Sequence, residues 1–476
     1  MSKIWAMMDV GKRSMMNSQT SLQTTAHNIA NKGTEGYSRQ RVEVQSNVPV
    51  GSGKLRIGMG ARATQVTRTN NPHLEKQLEK EGGKLGYLES KQYGMSRVEE
   101  VYNEQINKGL NKFMGEFFNS FRELSNNPES VSARTLVKES ADFLAQDFHR
   151  VQSQLESIQG DMDQQISSKV MEINEITREI AQLNEKVQVV ELNGVPANDE
   201  RDRRDVLLKN LSERINIRYA EGEDGQVTVT AGSSAVLVSG FSFRELSVSR
   251  SEGREGKMEG RLDIFYRPTE SGSMTQVTDQ IYGGSIGGLL EVRDNVINEL
   301  MGEMDEIAYN LAGQVNKAHV MGYDRYSQKG DSFFDVGVEG KEGAASRISL
   351  NRKIIEDVGL ISAGAQPNAP GDNRVANVIS SLQYKRILRE GESTLDDYYA
   401  NIVGKVGVES ARSKSASKSQ ESIVAQLGNI RESVSGVSLD EETAKMIEFQ
   451  KGFDASARLI RTADEMMETV LNLKRV

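Results

Sequence analysis

The chain contains no cysteine. That removes disulfides, thiolate catalysis and Cys-ligated zinc together. Histidine is scarce too: His27, His73, His149 and His319 lie far apart, and none sits in HExxH or HxH spacing. No apolar run approaches a membrane span. The opening "MSKIWAMMDVGKRSMMNSQ" has a Lys but no apolar signal-peptide core. Membrane insertion and Sec export are therefore not expected. The absence of cysteine fits a cytosolic chain, and also one that leaves the cell without an oxidising folding step. Basic residues do not dominate: 59 Lys and Arg face 68 Asp and Glu, a formal net charge of −9. That argues against a nucleic-acid surface.

Catalytic motifs are thin. "GMGARA" at 58–63 lacks the third glycine and the following helix of a dinucleotide loop, and no GxxxxGK[ST] occurs. Ser415 and Lys418 form S-x-x-K, but inside "SARSKSASKSQ", which reads as a solvated helix face. Scattered carboxylates leave a cell-wall hydrolase as a distant alternative, which would need a buried carboxylate in a cleft. No catalytic, metal or cofactor-binding residue is assigned, and the chain is read as a non-enzyme.

What is present is helix periodicity. The 476 residues suggest two to four domains. Near the start, Ile4, Met8, Gly11, Met15, Ser18, Leu22, Thr25 and Ile29 step by four and three, a heptad seam. "NIANKGTEGYSRQ" then ends that helix: Asn28, Asn31, Gly33 and Gly36 suit turn geometry, and Tyr37 opens an alternating, strand-like exit. At the other end, Met446, Phe449, Phe453, Ser456, Ile460, Ala463, Met467 and Val470 repeat the same spacing. Ser438 and Glu441 there form an expected capping box. The first 34 residues carry four bases against one acid, and the last 37 carry eight acids against six bases. The two terminal helices are therefore expected to pair. Alone, their apolar side chains are too few to order both firmly.

Between them the pattern predicts a mainly α fold with an inserted β region. The expected organisation is an N-terminal helix and extended segment over 1–70, helical parts over 71–214, 281–321 and 375–434, a β insert over 215–280, a loop and short-strand segment over 322–374, and the C-terminal helix over 435–476. "GLNKFMGEFFNSFRELSNNPES" places Leu110, Phe113, Met114, Phe117, Phe121 and Leu124 on one face. Ile173, Ile176, Ile180, Leu183 and Val187 follow the same spacing, and Asp224-Gly225 signals a hairpin.

"TTAHNIANKGTEGYSRQ" resembles the N-terminal signature of bacterial flagellar axial proteins, the rod, hook and hook-associated group. "SGVSLDEETAKMIEFQKGFDASARLIRTADEMMETVLNL" resembles their C-terminal signature. Interior stretches such as "NGVPANDERDRRDVLLKNLSE", "LAGQVNKAHVMGYD" and "STLDDYYANIVGKVG" are similar to the hook-associated members found at the hook–filament junction. The common "NTPGYSR" is replaced by Lys32-Gly33-Thr34-Glu35-Gly36-Tyr37, which keeps Gly36 and Tyr37 and loses the proline. The resemblance implies an extracellular structural protein exported by the flagellar type III apparatus and assembled as a ring of subunits. It implies contacts with hook protein, and with a second junction protein or flagellin. It also implies a cytosolic export chaperone on the C-terminal helix. A hook or rod protein is the alternative, disfavoured by the long helical middle.

Overall fold

The computed structural model describes residues 2–52, 55–103, 109–250, 261–269, 272–337 and 340–473. Parts of the expected β insert and the last three residues lie outside them. Helix α1 (Ser2–Ala30) leads into β1 (Gln40–Ser46), β2 (Val50–Ser52), β3 (Leu55–Ile57) and β4 (Ala61–Arg68). Four helices follow: α2 (Pro72–Val101), α3 (Leu110–Asn126), α4 (Val131–Glu191) and α5 (Asn198–Arg214). Short strands come next: β5 (Ile217–Glu221), β6 (Val227–Ala231), β7 (Ala235–Ser239), β8 (Ser242–Phe243), β9 (Leu246–Arg250), β10 (Leu262–Tyr266) and β11 (Thr275–Gln276). Then α6 (Gly284–Leu290) continues through a π-helical turn into α7 (Ile297–Val320). Small elements β12 (Phe334–Asp335), α8 (Ala344–Arg347), β13 (Ser349–Leu350) and α9 (Arg352–Glu356) precede α10 (Arg374–Ser381). Two long helices, α11 (Leu395–Ser435) and α12 (Leu439–Leu473), close the chain.

The chain forms two compact units. The first takes in the chain up to Gly86, Lys169–Gly284 and the chain from Ser419; the second takes in Tyr87–Ser168 and Ser285–Lys418.

The core of the second unit is aromatic. On α3, Leu110, Met114, Phe117, Phe118, Phe121 and Leu124 are fully buried. Phe113, expected with them, is half-buried and tilts against Phe143 instead. Phe117 and Phe121 meet Phe333, which stacks edge-on with Phe334 and His319. Edge-to-face packing suits the ring quadrupoles and fixes this cluster. His319 is buried with both ring nitrogens used: Nδ1 donates to the Asp331 carbonyl at 2.5 Å and Nε2 accepts from the Ser362 N–H at 2.9 Å. Burial pushes its pKa down to about 4, and the neighbouring Arg134 charge adds to that.

In the first unit, β5–β8 form one antiparallel sheet and β9–β11 another. Val227, Val229, Ala231 and Leu237 face inward. The sheet is tied to the helices by polar side chains. Asn184 on α4 donates to the Val227 and Gly240 carbonyls, both at 2.8 Å. Arg204 on α5, 1% exposed, donates to Asn184, Gly225 and Glu221. The expected turn at Asp224-Gly225 joins β5 to β6, with Gly225 at φ +75°. On α4 the buried stripe runs Ile173, Thr177, Ile180, Leu183 and Val187. Thr177 takes a position the spacing gave to Ile176, which is half-buried.

The first unit also carries a two-stranded arm. β1 and β4 pair antiparallel from Gln40↔Arg68 to Ser46↔Ala61, and β2 and β3 extend the same hairpin.

Candidate functional site

α1 and α12 pack as an antiparallel pair. Ile460 lies against Gly11, Ser456 against Ser14, Gly452 against Ser18 and Glu442 against Asn28. A Cβ on Gly11 would come within 2.8 Å of the Ile460 and Leu459 side chains, so any larger residue would push them aside. Ser456 Oγ donates to Ser14 Oγ at 2.8 Å.

The small-residue seam of α1 is therefore Gly11, Ser18, Ser21, Thr25 and Asn28, with Ser14 at its exposed edge, again at heptad spacing. Half of it is offset by one residue from the expected seam. Gly11, Ser18 and Thr25 belong to both. Met8, Met15, Leu22 and Ile29 flank the contact and are half-buried, as is Ile4. Within the chain, Ile460 sits against Gly11. On α12 the buried positions are Glu442, Ser456 and Ala463. Met446, Phe449, Phe453, Ile460 and Met467 are half-buried and Val470 is exposed. Small residues win the seam because two backbones approach more closely than Met, Leu or Phe side chains would permit. The missed signal was a second heptad made of Gly, Ser, Thr and Asn, which hydrophobicity does not register.

The turn after α1 is built around Asn28, which is 1% exposed and still helical. Its Nδ2 donates to the Gln40 carbonyl and to Glu442 Oε2, both at 2.9 Å. Its Oδ1 accepts from Tyr37 Oη at 2.8 Å and from the Gln40 N–H at 2.9 Å. One side chain thus holds helix, turn, arm and C-terminal helix, with all its hydrogen-bonding capacity used. Tyr37, expected on the strand, precedes it and turns back into the core; burial raises its pKa, and Asp199, Asp202 and Glu442 add to the rise. Asn31 closes the helix end through Nδ2 to the His27 carbonyl at 3.1 Å.

The glycines divide. Gly36 has φ +77°, and a Cβ there would stand 2.0 Å from Val206 Cγ2, so both the backbone and the space require glycine. Gly33, expected to share that role, has no such φ and open space around it. Around Gly36 the turn is pinned from several sides. Arg431 donates to the Gly36 carbonyl at 2.7 Å and pairs with Glu75. The Ser38 N–H donates to Asp202, which pairs with Arg68. The Arg39 N–H donates to the Ser435 carbonyl. Glu441, expected in a capping box with Ser438, accepts from Arg39 at 2.7 Å instead.

Among the described residues no three His, Asp or Glu side chains converge as metal ligands, and no helix is long and apolar enough to cross a membrane. Ser415 and Lys418 are both exposed.

Residues 95–334 match the family model of the flagellar hook-associated protein FlgK helical domain, half of the chain. The chain belongs to the flagellar hook-associated protein FlgK family. Residues 431–473 also match the model of the flagellar basal body rod FlgEFG protein C-terminal region. Flagellar hook-associated protein 1 of Bacillus subtilis is 27% identical over 98% of this chain and 97% of its own. The proteins of the same name from Salmonella typhimurium and Escherichia coli K12 are 24% and 22% identical, each over 96% of this chain and 97% of their own. The fold is similar to that of the flagellar hook junction protein FlgK from Burkholderia pseudomallei, with TM-score 0.68 and 16% identity, over 76% of this chain and all of that one. Family membership makes the chain a hook-associated protein of the bacterial flagellum.

Proposed function

We propose that copies of this chain assemble into a ring between hook and filament through the α1–α12 pair, with no catalytic role. The carrying observation is what that pair leaves uncovered. Its seam uses Gly, Ser and Asn, while Trp5 is 63% exposed, Ile447 59% and Leu471 49%. Large apolar side chains on a two-helix pair are stabilised only when further surface covers them. Neighbouring subunits supply that cover, and the turn at 31–37 sends the rest of each chain outward. Hook protein lies on one side of the ring, and a second junction protein or flagellin on the other. Before assembly, an export chaperone covers the α12 stripe from Met446 to Val470, an amphipathic helix laid in an apolar groove. Type III export carries the chain to the flagellum.

The test uses cells lacking the gene and supplied with Trp5→Asp or Ile447→Asp. Both sites are exposed, so monomer melting stays at the wild-type value. Cells should bear hooks without filaments. Filaments in normal number with both variants would overturn the reading.

A further inference from the structure

Two patches of the first unit remain unused. One is the tip of the β1–β4 arm. Val48 is 82% exposed, and Val50, Ile57 and Arg56 are exposed beside it. From Val44 to Ala63 the arm's described bases are Arg56 and Arg62, both exposed, and the stretch holds no acid. The other is the loop between α4 and α5. Leu192 is 78% exposed, and Val189 and Val195 are exposed with it. Asp199 and Glu200 close this stretch as its acids, while Glu191 is already paired with Arg201. This loop walls a groove whose other sides are α1 at Thr20, Gln23 and His27 and the base of the arm at Thr64, Gln65 and Val66.

The patches are complementary, apolar with basic against apolar with acidic, but they cannot meet within one molecule. The arm is pinned along α1: Asn17 Nδ2 donates to the Ala61 carbonyl, and Asn17 Oδ1 accepts from the Ala63 N–H, both at 2.8 Å. Farther out, Gly60 packs beside Val10. The tip thus points toward the start of α1 while the groove sits at His27. At 1.5 Å per residue, Val10 and His27 alone are about 25 Å apart.

We propose that the arm tip of one copy docks in the acidic-walled groove beside α1 of the next copy. A contact between unlike patches is head-to-tail, and such contacts propagate into rings or filaments. The proposal rests on the reading that copies of the chain assemble at the junction, and adds a second contact to it, distinct from the α1–α12 pair.

A chain without cysteine makes the test clean. Val48→Cys and Val195→Cys are placed in separate copies and co-expressed in cells lacking the gene; isolated flagella are then treated with a mild thiol oxidant. The two variants together should give cross-linked dimers at least tenfold above either variant alone. Filaments without cross-linked dimers overturn this contact and leave the junction reading intact. Failure of the wild-type chain to restore filaments would instead overturn the junction reading. If the cysteine variants do not assemble, a charge swap decides: Arg56→Glu lowers the filament count and Glu200→Lys restores it, and no restoration overturns the proposal.

Discussion

Asn28 and Glu442, 414 residues apart in sequence, meet through a 2.9 Å hydrogen bond that is buried on both sides. Glu442 is 1% exposed, and its other oxygen accepts from Lys445 at 3.0 Å. A buried carboxylate is tolerated only while such donors face it. Asn28→Ala would strand Glu442, Tyr37 Oη and the Gln40 backbone together. At about 1–3 kcal/mol for each unsatisfied buried group, the first unit should lose about 4 kcal/mol. Asn28→Asp should be worse at pH 8, where two carboxylates would face each other, and should recover toward pH 4. Urea denaturation read in the first unit measures both. A loss below about 1 kcal/mol for Asn28→Ala would contradict the role given to this side chain.

Gly36 is constrained twice, by φ +77° and by Val206. Gly36→Ala should cost about 3 kcal/mol, with backbone strain and overpacking each supplying part. Adding Val206→Ala should return only the overpacking part. Full recovery in the double variant would mean that the backbone here carries no strain. Gly33→Ala, with open space and no positive φ, should change stability little or raise it slightly.

These two positions also mark what the sequence could disclose. That α1 ends near Asn31 follows from turn chemistry, and the helical character of both termini follows from periodicity. Which residues form the seam does not, because hydrophobic spacing favours Met8, Met15 and Leu22 over Ser14 and Ser21. Close backbone approach selects the small residues, and it depends on a partner 440 residues away. The roles of Asn28, Arg431 and Asp202 were equally hidden, since each acts through contacts remote in sequence. Three of the four unit boundaries fall inside the continuous helices α2, α4 and α11, where no break in the helix marks them, and the fourth falls at the start of α6.

The two units should respond to pH in opposite directions. His319 is neutral when folded, with its pKa lowered to about 4 from 6.5. Its contribution to the second unit is present in full above pH 6.5 and is lost as pH falls toward 4. At 1.36 kcal/mol per pKa unit this amounts to about 3 kcal/mol. Glu79, half of a pair with Tyr219 Oη at 3.0 Å, has its pKa raised by burial to about 7 from 4.5. Its contribution to the first unit is present in full below pH 4.5 and is lost as pH rises through 7. Hydrogen exchange at pH 5 and pH 7.5, corrected for intrinsic rates, reads each unit by its own peptides. His319→Gln should flatten the acid loss in the second unit, and Glu79→Gln the neutral-pH loss in the first. Unchanged slopes in both variants would assign the pH dependence to other groups.

The last prediction separates the two heptads of α1. Ser14, at the exposed edge of the seam, bonds Ser456, so Ser14→Leu removes that bond, crowds the edge and should loosen the pair. Met15 flanks the contact, so Met15→Ala leaves the backbone approach intact and removes only half-buried apolar surface. In dilute monomer, protease should trim α12 several-fold faster in Ser14→Leu than in wild type, and at about the wild-type rate in Met15→Ala. In cells, both should reduce filament number, the first because the pair is open, the second because a neighbouring subunit loses apolar surface to cover. If Met15→Ala opened the monomer pair and Ser14→Leu left it closed, the large residues would be the seam, and the small-residue heptad would have no structural role.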